Sequence, residues 1–366
     1  MIVYGILLFL IIFNSFFFRK NKKIYIVSSF IILFLVQSLR KYTVGIDLLG
    51  HYSSNYIKFA SMNWSEIFNL CKAGSSYYDA GFIIFMKGLS LISKNVQWFI
   101  IATSAINCGL IGRYIYKHSE NYVMETILFI ASYSYFMYMN IIAQSIAISI
   151  ILFGYSYLEN KKIFKYIITV LIASLIHSSA IIGLIFIPLF YLKNNKSNIR
   201  KVIILSFIGV LFINNIMPFI LKYIFPQFAF YFKNKNSSMM DGIRIVHLLL
   251  YFLFFIIGYY YIYIKNKENY NREDSGKKGS FLLYMTIISV ACRFLVSNSY
   301  IFSRMGFYFY PFSYSLVAYS MKKETSKKLL LRNKLLLYFI LLFTFIILLK
   351  TLETSYGVLP YKFYWE

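Results

Sequence analysis

The stretch RKYTVGIDLLGHYSSNY, from Arg40 to Tyr56, is a polar run placed directly behind an apolar segment of helix length. It gathers two basic residues, Asp47, His51 and several hydroxyl side chains. Most of the chain before and after it is apolar. The stretch therefore marks a point where the chain leaves an apolar environment, and we expect chemistry to occur there.

The composition assigns the protein to a class. The 366 residues are 59% hydrophobic and 14% charged, which leaves too few polar residues to cover a water-soluble globule. Apolar stretches of about 20 residues, each able to span the roughly 30 Å hydrocarbon core as a helix, alternate with short basic clusters. The sequence predicts an all-α, polytopic membrane helical bundle.

The apolar pattern predicts about twelve transmembrane helices and one shorter piece. The predicted spans are residues 2–18, 24–39, 96–112, 122–139, 141–158, two halves of 163–192, 202–224, 246–264, 281–296, 305–320 and 335–349. The polar triplet His177-Ser178-Ser179 is predicted to divide the long block 163–192. Residues 80–93, which carry Lys87 and are too short to cross, are predicted to form a re-entrant or half-spanning helix.

The basic clusters predict the orientation. Lysine and arginine favour the cytoplasmic side, so a cytoplasmic cluster at residues 19–23 delivers the stretch after Arg40 to the outside. The same assignment makes the loops at about 40–80 and 225–245 external and those at about 265–279 and 322–334 cytoplasmic, with both termini outside. We expect a single transmembrane domain over residues 1–366, with the first span retained and not cleaved as a signal peptide.

The net charge of +25 does not indicate a nucleic-acid partner. The lysines flank apolar runs, where they fit membrane topology and contact with anionic lipid headgroups, and no nucleic-acid-binding module is visible. Cys71, Cys108 and Cys292 show no paired spacing. The sequence therefore indicates neither a disulfide framework nor a metal site.

Charged side chains at or within the membrane are costly and are functional candidates by default. Arg293 lies inside an apolar run, Arg304 lies between aromatic residues, and Arg40 lies on the predicted outer side, where helix-flanking arginines are less usual. Guanidinium groups bind phosphate bidentately and stay charged. Several of them together would fit a pyrophosphate.

Other polar residues could take part in acid–base chemistry. Asp47 follows Val-Gly-Ile, which suits a tight turn that directs its carboxylate, and His177 interrupts an apolar run. Either one is a candidate general base, although a lone histidine of this kind is more often a hydrogen-bonded structural group. Asp79 and Gln144 are weaker candidates on physical grounds alone.

Several motifs occur together along the chain. They are RKYTVGIDLLGHYSSNY, DAGF from Asp79, MNIIAQSIAISI from Met139, IASLIHSSAII around His177, SRMGFYFYP and VLPYKFYW. In this order, and over nearly the whole chain, they resemble the EpsG family of Wzy-like bacterial polysaccharide polymerases. The first resembles the family's R-x-x-x-V-G-x-D-x-x-x-Y pattern, and DAGF stands where the family tends to have Glu-x-Gly-Phe or Tyr.

The resemblance implies a glycosyl transfer at the outer leaflet of the bacterial cytoplasmic (inner) membrane. Oligosaccharide repeat units on undecaprenyl pyrophosphate would be joined into capsule, exopolysaccharide or O-antigen, with no metal or organic cofactor. Chain-length regulator and flippase proteins are the implied protein partners. The implied roles are pyrophosphate binding by Arg40, Arg244, Arg293 and Arg304, catalysis by Asp47 or His177, and glycan contacts by Tyr52, Asp79 and Gln144.

Two departures from the family pattern affect this assignment. Ala143 stands where the family commonly has Arg, so another arginine replaces that contact or the protein is impaired, and Asp79 is one methylene shorter than the usual Glu. Two alternatives stay open at this point, a lipid-linked oligosaccharide flippase or transporter, and an O-antigen ligase or sugar acyltransferase. Loss of a polymerase leaves single repeat units, loss of a flippase leaves no exported glycan, and loss of a ligase leaves unattached polymer.

Overall fold

The computed structural model describes residues 2–73, 78–216, 219, 223, 238–265, 273–294, 304–324 and 326–366, without the side chains of 214, 238–244, 273–276 and 348–355. These residues form sixteen α-helices and contain no β-strand. One isolated antiparallel bridge joins Arg40 to Phe363. The predicted all-α class is confirmed.

The described helices fall into two compact units, Met1–Leu184 with Phe345–Glu366, and Ile185–Thr344. Unit 1 contains α1 (Ile2–Phe18), α2 (Lys22–Ser38), α3 (Ser53–Ser61), α4 (Trp64–Ala73), α5 (Ala80–Ser90), α6 (Val96–His118), α7 (Tyr122–Ala131), α8 (Ser134–Met137), α9 (Ile142–Glu159) and α10 (Ile163–Ile176). Unit 2 contains α11 (Phe186–Tyr191), α12 (Lys196–Asn215), α13 (Ser238–Tyr259), α14 (Glu273–Phe294) and α15 (Tyr310–Lys322). The last helix, α16 (Lys327–Ser355), belongs to unit 2 up to Thr344 and to unit 1 from Phe345. The single transmembrane domain stays a prediction.

Four helical segments in the described part of the chain are long and apolar enough to cross a membrane. They are Val96–His118, Ile142–Glu159, Ile245–Lys265 and Lys327–Ile347. Shorter apolar helical segments include Ile2–Phe18, Ala80–Ser90 and Ile163–Ile176. These segments agree with a helical membrane protein, and the count of twelve spans stays a prediction.

Asparagine side chains begin several of these helices. Asn21 caps α2 by accepting a hydrogen bond from Ile24 N at 3.1 Å, and Asn95 caps α6 by accepting one from Gln97 N at 2.8 Å. Asn121 and Asn195 do the same for α7 and α12. Each cap satisfies a backbone donor that the first turn of a helix leaves without a partner. Short polar connections thus fix where these apolar helices start.

Close packing in unit 1 depends on small residues. Helix α2 packs on α6, α6 on α9, and α9 on α10. A Cβ added to Gly112 in α6 would lie 2.9 Å from the ring of Phe30, and one added to Gly154 in α9 would lie 2.6 Å from a methyl group of Thr169. These two glycines therefore let neighbouring helices approach more closely than any larger residue would allow.

The predicted break at His177 is confirmed. Helix α10 ends at Ile176, and His177 is its C-cap with an extended backbone, φ −152° and ψ 113°. A 3-10 helix, Ser178–Ile185, follows. The polar triplet therefore stops the α-helix where the hydropathy pattern placed the interruption.

Residues 122–139, predicted as one span, do not form one continuous α-helix, and their crossing of the membrane stays a prediction. Helix α7 ends at Ala131, and Tyr133 has a φ of 80°, in the left-handed region. A second helix of four residues, α8, follows it. The run contains no Gly or Pro, which are the residues that usually mark such a break, so the sequence pattern did not reveal it.

The segment predicted as an external loop at about 40–80 contains two helices, α3 and α4, besides the π-helical turn Leu48–Tyr52. Helix α5 has 11 residues and is about 16 Å long. It is therefore as short as the sequence predicted, and its re-entrant character stays a prediction.

In unit 2, α14 packs against α12, α13 and α15. Gly258 of α13 gives a close approach, because a Cβ there would lie 2.4 Å from the side chain of Leu316 in α15. Tyr251 of α13 stacks on Tyr310 of α15 with ring centroids 4.4 Å apart. Unit 2 therefore has an aromatic core of its own.

Candidate functional site

The polar stretch after Arg40 is held by the last residues of the chain. The backbone amide of Lys41 donates to Lys362 O at 2.9 Å, and that of Tyr364 donates to Leu39 O at 2.9 Å. Further along, Gly45 N donates to Gly357 O at 2.8 Å. Two of the sequence motifs, RKYTVGID and VLPYKFYW, therefore form one local structure within unit 1.

Gly45 gives this stretch its sharp turn. Its φ is +113°, and a Cβ there would lie 3.0 Å from Asn140 Oδ1. Only glycine adopts such a backbone without strain. The turn leads directly into Asp47, which is half-buried and stands ahead of the π-helical turn Leu48–Tyr52. The predicted turn before Asp47 is confirmed, while the catalytic role of Asp47 stays a prediction.

Arg40 is fully buried, with 0% of its surface exposed. Its Nη1 donates to Gln37 O, and its Nη2 donates to Met139 O at 3.2 Å. No described carboxylate pairs with it. Burial lowers the pKa of Arg40 to about 10, so the guanidinium stays charged at neutral pH. In this structure Arg40 joins main-chain segments, and its assignment to a pyrophosphate stays a prediction.

Asp79 and His177 meet, although 98 positions separate them in the sequence. The His177 Nδ1 atom lies 3.3 Å from Asp79 Oδ2, and the backbone N–H of Ser178 donates to the same oxygen at 2.9 Å. Both side chains are partly open, with 34% of His177 and 30% of Asp79 exposed. We call these two side chains the Asp79–His177 pair.

Two features of the backbone bring the pair together. Asp79 is the N-cap of α5, but its side chain makes no cap hydrogen bond and is directed to the end of α10. Gly81 allows the approach, because a Cβ there would lie 2.4 Å from Leu175 O. The glycine of the DAGF motif is therefore needed for contact between α5 and α10.

The electrostatics of Asp79 favour its ionised form. Burial acts to raise the pKa of Asp79, but the hydrogen bonds from His177 and Ser178 and the nearby imidazole together hold it below its ordinary value. A carboxylate that accepts from Nδ1 fixes the tautomer of a histidine, so that Nε2 is able to accept a proton. The pair therefore has the arrangement of a general base and the acid that orients it.

Tyr52 and Gln144, both predicted to contact glycan, are buried in unit 1. The hydroxyl of Tyr52 accepts the backbone N–H of Ala143 at 3.2 Å, and its ring stacks on Tyr78 with centroids 5.4 Å apart. Ala143 packs with Tyr52 and Tyr78 in one buried apolar cluster of unit 1. Glycan contacts by Tyr52 and Gln144 stay predictions.

The other three arginines assigned to the pyrophosphate, Arg244, Arg293 and Arg304, belong to unit 2. The guanidinium of Arg293 lies over the rings of Tyr310, Tyr251 and Phe307, with the carbon at 4.4, 5.5 and 5.9 Å from the ring centroids. Arg304 is half-buried and precedes the 3-10 helix Met305–Tyr308. The backbone of Arg244 lies in α13, and its side chain is outside the described residues. A pyrophosphate pocket shared by these arginines stays a prediction.

Sequence reasoning selected Asp79 and His177 separately, but it missed their pairing and the two residues that support it, Gly81 and Ser178. The available signal was weak. Asp79 precedes a helix by one residue, and His177 follows the end of another, so both lie at helix ends. Gly81, two positions after Asp79, was the remaining sequence signal.

Comparison with known proteins gives one result. The model of a family described as the EpsG family matches residues 23–363. No curated protein matches the chain. No solved structure matches it either.

Proposed function

We propose, from the premise that this chain belongs to the EpsG family of Wzy-like polysaccharide polymerases, that it joins oligosaccharide repeat units carried on undecaprenyl pyrophosphate. The reaction takes place at the outer leaflet of the bacterial cytoplasmic membrane. The Asp79–His177 pair is the observation that carries this proposal, because glycosyl transfer to a sugar hydroxyl needs a group that takes the proton.

In the proposed reaction, a hydroxyl of the incoming repeat unit loses its proton to His177 Nε2 and its oxygen attacks the anomeric carbon of the growing glycan. The new glycosidic bond forms as the bond from that carbon to the lipid pyrophosphate breaks, and the pyrophosphate leaves with the electron pair. Asp79 stays ionised throughout and stabilises the imidazolium that forms.

The leaving pyrophosphate gains negative charge, which arginines stabilise. Arg293, Arg304 and Arg244 carry this assignment, and the guanidinium carbon of Arg293 lies 4.4 Å from the centroid of the Tyr310 ring. For Arg40 the same role requires its guanidinium to leave the carbonyls of Gln37 and Met139. Asp47 is proposed to position the acceptor.

The test uses four variants in a polymerase-null strain, with glycan length read on gels and the protein level measured in membranes. We expect His177→Gln and Asp79→Asn to lose long glycan, and Asp79→Glu, which restores the family's usual acid, to keep it. His118→Gln is the matched control, because His118 also pairs with a carboxylate, Glu159, at 2.7 Å, but in a different part of unit 1.

With purified protein and a lipid-linked repeat unit, loss of a general base should lower the rate by about 100- to 10,000-fold. The rate should fall while the thermal unfolding of His177→Gln stays close to that of the wild type, which a purely structural role of His177 would not give. Full ladders from both His177→Gln and Asp79→Asn would overturn the proposed base. Absence of any exported glycan would favour a flippase, and unattached long polymer would favour a ligase.

A further inference from the structure

An open groove of about 570 Å³ runs along α2 and α6 in unit 1. Its apolar walls come from α2, which includes Phe30 and Phe34, and from α6, which includes Gly109 and Gly112. A volume of this size is typical of ligand sites. The groove is distinct from the Asp79–His177 pair, since neither side chain lines it.

The charges in the groove are collected at one end. Lys23 lies in the first turn of α2, and Arg113 and Lys117 lie in the last two turns of α6. The side chain of Lys22 donates to Ser119 O at 3.2 Å, which shows that these two helix ends adjoin. The basic residues therefore meet at one end, and the remaining lining is almost entirely apolar.

Three of the cations at this end have no acidic partner within the described part of the chain. Among the described residues, no carboxylate pairs with Lys23, Arg113 or Lys117, and Arg113 is held over the ring of Phe153 at 4.6 Å. Three cations beside an apolar channel match a ligand with a negative head and a hydrocarbon tail. From Lys23 to Phe34 the groove extends about 16 Å along the helix, which is close to half of the roughly 30 Å hydrocarbon core.

Gly109 keeps the groove open. A Cβ added there would meet nothing within 4 Å, whereas one added to Gly112 would lie 2.9 Å from the ring of Phe30. Gly112 therefore allows the two helices to pack, and Gly109 leaves room beside them. A large apolar side chain at residue 109, where an added Cβ has open space, would extend into the groove.

We propose that this groove binds one anionic glycerophospholipid, with its phosphate against Lys23, Arg113 and Lys117 and one acyl chain along α6. The lipid comes from the leaflet on the side of residues 19–23, which the basic clusters place in the cytoplasm. The site is a lipid site separate from the proposed polymerase reaction.

The test measures lipid binding to the purified, delipidated full chain by native mass spectrometry, with dioleoyl phosphatidylglycerol and dioleoyl phosphatidylcholine. The wild-type protein should retain one phosphatidylglycerol with an affinity at least about tenfold above that for phosphatidylcholine, given that each nearby cation contributes about a factor of five. Lys23→Gln with Lys117→Gln should lower that preference to about fivefold or less, since Arg113 alone remains. Gly109→Leu should lose the tightly bound lipid of either kind.

Gly5→Leu is the matched control, because Gly5 also lies in an apolar helix with nothing within 4 Å of its added Cβ, and it should bind lipid as the wild type does. Thermal unfolding of each variant checks that it is folded. Equal binding of the two phospholipids by the wild type, or unchanged binding in a folded Gly109→Leu, would overturn the proposal. Displacement of phosphatidylglycerol by an equal amount of undecaprenyl phosphate would also overturn it, since the groove would then hold the substrate lipid.

Discussion

Replacement of Gly81 by alanine is the most direct test of how the Asp79–His177 pair is assembled. The new Cβ would lie 2.4 Å from Leu175 O, whereas ordinary contact begins at 3.4 Å. The start of α5 and the end of α10 must therefore separate by about 1 Å. A misplacement of that size can lower a rate by about 100-fold. The contact between His177 Nδ1 and Asp79 Oδ2 is already 3.3 Å. A separation of that size breaks it.

Gly81→Ala has two opposing effects on the free energy of unfolding, and its effect on the polymerisation rate can be measured separately from their sum. Alanine favours an α-helix over glycine by about 1 kcal/mol, while overpacking costs about 1–3 kcal/mol, so we expect a small net loss in the free energy of unfolding. The polymerisation rate should fall far more than this loss explains. The assay is the initial rate of glycan elongation by purified protein, beside thermal unfolding in the same detergent.

Gly88→Ala is the control in the same helix, because a Cβ at Gly88 meets nothing within 4 Å. It should leave the rate unchanged. In the double variant Gly81→Ala with His177→Gln, the second change should add little, since residues that act as a unit are not additive. A folded Gly81→Ala protein with the wild-type rate would refute the argument that this glycine positions the pair.

Two further predictions concern stability. The pKa of Asp79 is lowered in the folded protein, so the ionised carboxylate stabilises the fold above the ordinary aspartate pKa, and this stability is lost as the pH falls through the folded pKa. The melting temperatures of wild type and Asp79→Asn should therefore converge below about pH 4. A difference that stays constant with pH would contradict this. Arg40→Lys keeps the charge but offers one ammonium to the two carbonyls of Gln37 and Met139, so the free energy of unfolding should fall by about 1–3 kcal/mol in a thermal melt. Lost activity at an unchanged melting temperature would instead assign Arg40 to the substrate.

The sequence predicted those features that depend on local pattern. The helical class follows from apolar runs, and the break at His177 follows from three polar residues inside such a run. The turn at Gly45 was visible because a glycine two residues before Asp47 is a local turn signal. In each case the deciding information lies within a few neighbouring residues.

Other features depend on tertiary contacts, which one sequence does not display. Tyr52 was assigned to glycan on its residue type, but its hydroxyl accepts the Ala143 N–H inside a packed cluster. Asp79 was assigned to glycan as well, and its contact with His177 exists only because α5 and α10 meet. The break at Tyr133 was missed because a tyrosine in the left-handed region has no sequence marker of its own.

The pairing of residues 39–46 with the tail of the chain restricts the topology in a way that no hydropathy window does. Backbone hydrogen bonds from Lys41 to Lys362 and from Gly45 to Gly357 require both paired segments to be on one side of the bilayer. The chain between them must then traverse the membrane an even number of times, however many helices do so. A reporter fused near residue 41 and another near residue 362 must therefore give the same sidedness.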